Sequence, residues 1–233
     1  GWPGSPRGSR LTAQLRHLQD ASGTPGMLEI LAGDTTLAQA QETALTAHLL
    51  GLRLVLIDSG VFAGVTRSDL ATASADPLAL VRALKRLNEG RDLGGSRLDE
   101  ATAFTIGVRV RAEDAGRLDE FAAAGADFLT LQPIYEPARF RAAMAAAAVT
   151  VPLFAEVMLL PDAATAEELD NELPSLSVPE RLKQRLRTDS GEDVRGVLRF
   201  LAAWRTKLAG VCIMSPDERT EPAERVIREI RKG

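Results

Sequence analysis

Short apolar runs alternating with longer amphipathic ones constrain this chain more than any other feature of it. The runs at 27–31, 53–58, 104–110, 127–132, 152–158 and 211–214 are rich in Val, Ile, Leu or Phe and bounded by turn residues, as buried strands are. Between them, residues 10–21, 37–50, 77–88, 114–124, 137–147, 179–187, 192–207 and 222–231 read as helices. Several of these open near a proline, which is harmless in a first turn because the missing N–H would have no helical partner there. Strand, helix, strand in repetition implies parallel strands and right-handed crossovers. With 233 residues, 45% of them hydrophobic, the chain can bury one substantial core. The expectation is an α/β fold, a single β/α-barrel domain over 1–233, incomplete at its N-terminus. Six strands are countable where such a barrel takes eight, and the count alone equally permits an open doubly wound sheet.

Composition excludes several classes. No apolar run approaches the roughly 20 residues of a spanning helix, and the first residues lack the apolar stretch of a secretory signal. A cytoplasmic protein with no membrane partner is therefore expected. The net charge of -4 argues against nucleic acid, whose phosphates call for a basic surface. Cys212 is the only cysteine, so an internal disulfide and two-cysteine metal motifs are ruled out. It reads as a small buried hydrophobe within a strand. His17 and His48 both fall in helical stretches and read as solvated or packed, so no metal centre is expected.

Two long stretches break the rhythm, 59–76 and 160–178. Each follows the C-terminal end of a strand, where parallel α/β sheets bind ligands. Asp76 is placed to cap the helix opening at Pro77, and the second stretch holds a short acidic helix.

A set of ordered motifs resembles the methylenetetrahydrofolate reductase family. The run Leu87-Asn88-Glu89-Gly90-Arg91-Asp92-Leu93-Gly94-Gly95 is followed by Phe104-Thr105-Ile106-Gly107-Val108, then by Ala124-Gly125-Ala126-Asp127-Phe128 and Gln132. Val151-Pro152, the helix Val178-Pro179-Glu180-Arg181-Leu182 with Arg185-Leu186, and Ala209-Gly210-Val211 with Met214 and Pro216 complete it. The resemblance implies a (β/α)8 TIM barrel of which strands 3–8 are present. It implies reduction of 5,10-methylenetetrahydrofolate to 5-methyltetrahydrofolate through FAD, with NADH or NADPH as reductant, in one-carbon metabolism. It further implies a tetrahydrofolate derivative as ligand and a homo-oligomer or partner subunit. Asp58, Ser59, Gly60 and Arg111 then become cofactor-binding candidates, and Gln132 the residue at the pterin end. The family's catalytic glutamate lies on a strand that precedes this sequence, so the catalytic residue is unassigned. Where the family's third strand ends in a His-Leu-Thr-Cys-like run, this chain has Glu29-Ile30-Leu31-Ala32. The Gly of the seventh strand is replaced by Glu156. The alternative is a non-flavin homologue that binds folate or a small anion, or a non-catalytic subunit.

Alternation supplies a reading independent of the family. In residues 105–111 the Ile and Val set must face the helices, which leaves Thr105, Gly107, Arg109 and Arg111 on the other face. Glu29, Gln132 and Glu156 can share that face, while the all-apolar strand before Asp58 leaves its phase ambiguous. Arg109 or Arg111 is expected to pair with Glu29, Asp58 or Glu156, since a charge withdrawn from water needs a partner. Such a cluster is either a ligand site, with Glu29, Arg109, Gln132 and Glu156 touching substrate, or an internal plug. Phe200, Trp204 and Leu208 have helical spacing and read as core.

Overall fold

A computed structural model describes residues 9–59, 75–146, 149–173, 176–189, 191–216 and 220–232. The described residues form two compact units. The first takes Gly1–Arg109 and Asp119–Leu129, the second Val110–Leu118 and Thr130–Gly233. Within the described residues, strands β1 (Met27–Leu31), β2 (Leu54–Asp58), β3 (Thr105–Val110), β4 (Phe128–Leu131), β5 (Leu153–Met158) and β6 (Gly210–Met214) follow one another in sequence order across one sheet. These are the six sequence-predicted strands, displaced by a residue or two at their ends. The α/β class is therefore established.

In the first unit, β1, β2 and β3 are parallel, with Glu29 level with Leu56 and Gly107, and Leu31 level with Asp58 and Arg109. Leu28, Ile30, Val55, Ile57, Ile106 and Val108 are all buried at the opposite parity. Leu56 is buried as well, so β2 is apolar on both faces, which is why its sequence carries no alternation. Helix α1 spans Ser9–Ser22, α2 Leu37–Leu49 and α3 Pro77–Asn88. Helix α2 opens on a capping box: Thr36 Oγ1 accepts from the Gln39 N–H at 3.2 Å, and the Thr36 N–H donates to Gln39 Oε1 at 3.0 Å. Its buried face is Ala40, Ala44 and Ala47, small enough for close approach. Helix α3 packs on β2 and is capped by Asp76, which accepts from the Ala79 N–H at 3.1 Å, as its position before Pro77 predicts.

The sequence-predicted helix at 114–124 divides into a 3-10 turn, Ala112–Arg117, and a shorter helix α4, Leu118–Ala124. Gly116 lies in the turn and is a poor α-helix former. Gly125 ends α4 at φ +110, a conformation that side chains rarely adopt.

In the second unit β5 and β6 are parallel, with Glu156 level with Cys212 and Met158 level with Met214. Helix α5 spans Pro137–Ala146. Val157, at the opposite parity to Glu156, joins Leu159, Val194, Val197 and Val226 in an apolar cluster supplied by α8 (Glu192–Trp204) and α9 (Glu221–Ile230). A second cluster holds Leu160, Ala163, Ala166, Val178 and Leu186, around α6 (Ala163–Glu172) and α7 (Glu180–Thr188). Asp170 ties these two helices together. Its carboxylate accepts from Lys183 Nζ at 2.6 Å and from the Val178 N–H at 2.9 Å. The lysine's hydrogen bond holds that carboxyl below its ordinary range.

Candidate functional site

The first unit gathers three of the sequence-predicted residues, Asp58 and Arg109 at or next to the C-terminal ends of β2 and β3 and Glu29 midway along β1. Arg109 Nη1 donates to Asp58 Oδ2 at 2.9 Å and also to Glu29 Oε1. Asp58 and Arg109 are buried, whereas the Glu29 side chain keeps 47% of its surface in water. The parallel register makes the cluster. Asp58 and Arg109 are level on neighbouring strands, and Glu29 sits two residues earlier on the same face. The ambiguous phase of Asp58 is thereby resolved toward Arg109. The Ser59 N–H continues the ladder by donating to the Arg109 carbonyl at 3.3 Å. Gly60 lies outside the described residues.

Two carboxylates meet one guanidinium here. Partial burial pushes the Glu29 carboxyl above its usual range; Arg109 pulls it back, and the neighbouring Asp58 charge and hydrogen bond push it up again. Gly107 lies on the same face, level with Glu29 through Leu56, and its missing side chain admits the Phe128 ring. A Cβ at Gly107 would overlap the ring's Cζ, an approach no real pair of atoms tolerates.

In the second unit Thr130 Oγ1 donates to Glu156 Oε1 at 3.0 Å, and both residues are buried. Gln132 is buried too, with its N–H donating to the Val110 carbonyl at 3.1 Å. Arg111 lies one residue beyond β3, at the start of the 3-10 turn, and its Nε and Nη2 reach Asp114 Oδ2 at 2.8 and 2.7 Å. The end of the strand at Val110 explains why alternation stops being a guide at Arg111. Among the described residues, no group of three or more His, Cys, Asp or Glu side chains could hold a metal ion. Cys212 is half-buried. His48 is buried against the edge of Phe104, and His17 is exposed.

Sequence reasoning misses a cavity in the second unit. It measures about 410 Å³ and lies past the ends of β4 and β5. Tyr135, Phe140, Phe200 and Trp204 are among its walls, with Arg181, Arg185 and Arg199 on its lining. The rings of Phe200 and Trp204 meet Phe140 edge-on at 4.7 and 4.9 Å. Both residues read as core in the sequence; both are half-buried and line this space, and Phe200 also packs against the apolar cluster around Val157. The signal in the sequence is the four-residue spacing of Arg181 with Arg185 and of Phe200 with Trp204, but only folding shows that these faces meet.

No protein-family model matches the sequence, and no curated protein matches it. Solved structures do. The chain is similar to 2,3-dimethylmalate lyase, a PEP mutase/isocitrate lyase superfamily member, at 15% identity and TM-score 0.52, over 97% of this chain and 65% of that one. It is also similar to phosphonopyruvate hydrolase (13% identity, TM-score 0.49, 96% of this chain and 64% of that one). A phosphoenolpyruvate phosphomutase from Streptomyces platensis subsp. rosaceus follows (14% identity, TM-score 0.46, 85% and 79%). The chain thus spans just under two thirds of the first two proteins. At this identity the likeness to the lyase is one of fold.

That likeness overturns the methylenetetrahydrofolate reductase reading, and with it folate reduction, FAD, and NADH or NADPH. The physical reason lies in what the resembling motifs do. Asn88 donates to the Phe104 carbonyl at 2.8 Å and accepts from the Phe104 N–H at 2.8 Å and the Thr102 hydroxyl at 2.7 Å. Gly125 stops a helix, and Asp127 Oδ2 accepts from the Ile106 N–H at 2.7 Å. These residues secure helix-to-strand connections, so they report architecture shared by many β/α proteins. The expected cofactor positions are also poorly suited to a pyrophosphate, which needs donors and positive charge. Asp58 brings a carboxylate beside that of Glu29, and Arg111 is engaged by Asp114.

Proposed function

We propose that this chain is part of a (β/α)8 barrel that acts in the cytoplasm as a carbon–carbon lyase on a small 2-hydroxycarboxylate. The observation that carries the reading is buried Arg109 held against Asp58 and Glu29 across three parallel strands, with Asp58 and Arg109 at or next to the C-terminal ends of theirs. The fold likeness to 2,3-dimethylmalate lyase supports it. Cleaving such a substrate between C2 and C3 removes the hydroxyl proton, turns C2 into a carbonyl and leaves the bond's electrons on C3, which then takes a proton. Arg109 would hold the substrate carboxylate in a forked contact. Glu29, whose carboxyl is pushed above its usual range, would move the proton, with Asp58 beside it to share it.

The test is release of a 2-oxo acid, trapped as its phenylhydrazone, from 2,3-dimethylmalate and from malate. Wild-type protein should release it, and Glu29→Gln should be slower by about a hundredfold, the typical contribution of a positioned acid–base group. Folded protein that releases no 2-oxo acid from either compound sinks the proposal.

A further inference from the structure

The cavity in the second unit has a construction of its own. At about 410 Å³ it falls in the size range of small-molecule sites. Its walls are aromatic: Phe140, Phe200 and Trp204 in edge-on contact, with Tyr135 fixed by a hydrogen bond from its hydroxyl to the Met158 carbonyl at 3.3 Å. The charged residues on its lining are sorted by depth. Glu156 and Glu192 are buried and Asp193 is half-buried, while Arg181, Arg185 and Arg199 are exposed. Glu192 Oε1 already accepts from both Arg185, at 2.9 Å, and Arg199, at 2.5 Å, so this acid is matched by two cations. Glu156 accepts from Thr130, and Asp193 from the Val194 N–H at 2.7 Å. A molecule entering therefore meets arginines first and aromatic rings behind them.

We infer that this cavity binds a small amphipathic anion, an aromatic or branched apolar group bearing one carboxylate. The apolar body lies against Phe140, Phe200 and Trp204, where edge and face contacts add to simple burial. The carboxylate stays at the rim with Arg181 and the outer nitrogens of Arg185 and Arg199. Nothing in this assignment depends on the proposed lyase reaction.

The structure also supplies a variant that closes the cavity without attacking the fold. Gly196 lines it from α8, and a Cβ there would meet only ordinary contacts, 3.9 Å from Arg199 Nη2 and from Glu192 Oε1. Gly196→Leu therefore puts a side chain into the space while replacing a poor helix former with a good one. Calorimetric titration with 2-naphthoate and with its neutral amide, 2-naphthamide, tests the assignment. Wild-type protein should bind one equivalent of naphthoate and prefer it to naphthamide. Arg181→Gln should weaken naphthoate up to about fivefold, the scale of one exposed charge, and leave naphthamide unchanged. Gly196→Leu should bind neither and melt no lower than wild type. Equal affinity for acid and amide would overturn the anion assignment. Undiminished binding to Gly196→Leu would place the ligand elsewhere and overturn it too. A dimer that excludes naphthoate and that Gly196→Leu dissociates would give the cavity to a second copy of the chain, with the same result. Loss of 2-oxo acid release, with these titrations intact, would bear on the lyase proposal alone.

Discussion

Replacing Arg109 with Met keeps an unbranched apolar stem and removes a cation that serves both Asp58 and Glu29. The two acids do not count equally. The Asp58 side chain is 2% exposed and hydrogen-bonded at 2.9 Å, so removing this cation from beside a buried charge costs about 3 kcal/mol. Glu29 is 47% exposed, so water screens its share to less than about 1 kcal/mol. Arg109→Met should therefore lose about 3–4 kcal/mol at pH 7, seen as a drop of roughly 1.5–2 M in the urea midpoint for a slope near 2 kcal/mol/M. Adding Asp58→Asn should restore about 2 kcal/mol, because the buried charge goes with it. A loss below about 1 kcal/mol, or a double variant whose costs simply add, would refute this account of the cluster.

Three further outcomes follow from the structure. Glu29→Gln should change how stability varies with pH. A carboxyl whose folded pKa is raised binds more protons in the native state, so its contribution is present at low pH and fades as pH rises through the raised value. Wild type should lose up to about 1 kcal/mol relative to Glu29→Gln between about pH 4 and 7 in urea titrations, and a flat or rising difference contradicts this. Gly107→Ala should cost about 2–3 kcal/mol through its clash with Phe128, and Phe128→Leu should relieve part of that in the double variant, as melting temperatures will show. Asn88→Ala should cost about 2–3 kcal/mol, since the Phe104 N–H and carbonyl both lose their partner; amide exchange at Phe104 should accelerate with it.

How far the sequence can be read depends on whether a position obeys a local rule. Strand alternation is local, so the order of residues alone brings Arg109 and Glu29 to one face. Asp58 resists because β2 is buried on both sides and its residues carry no phase. The helix cap at Asp76 and the positions of the six strands are legible for the same local reason. The chemistry misleads because Asn88, Gly125 and Asp127 form recognisable spacings for structural reasons. The arginine-rimmed cavity leaves only helical spacings in the sequence, since it depends on the face of α8 meeting Phe140.

The connection-securing residues and the charged cluster occupy opposite ends of the same strands. Asn88 and Asp127 hold the entrance to β3, at Phe104 and Ile106, while Arg109 stands near its exit with Asp58. Mutational robustness and chemical novelty are thereby uncoupled along a single strand. Selection, or a designer, can rewrite the exit residues and the loops beyond them while the entrance keeps the register. A scaffold divided in this way can acquire a new substrate in small steps without passing through an unfolded ancestor.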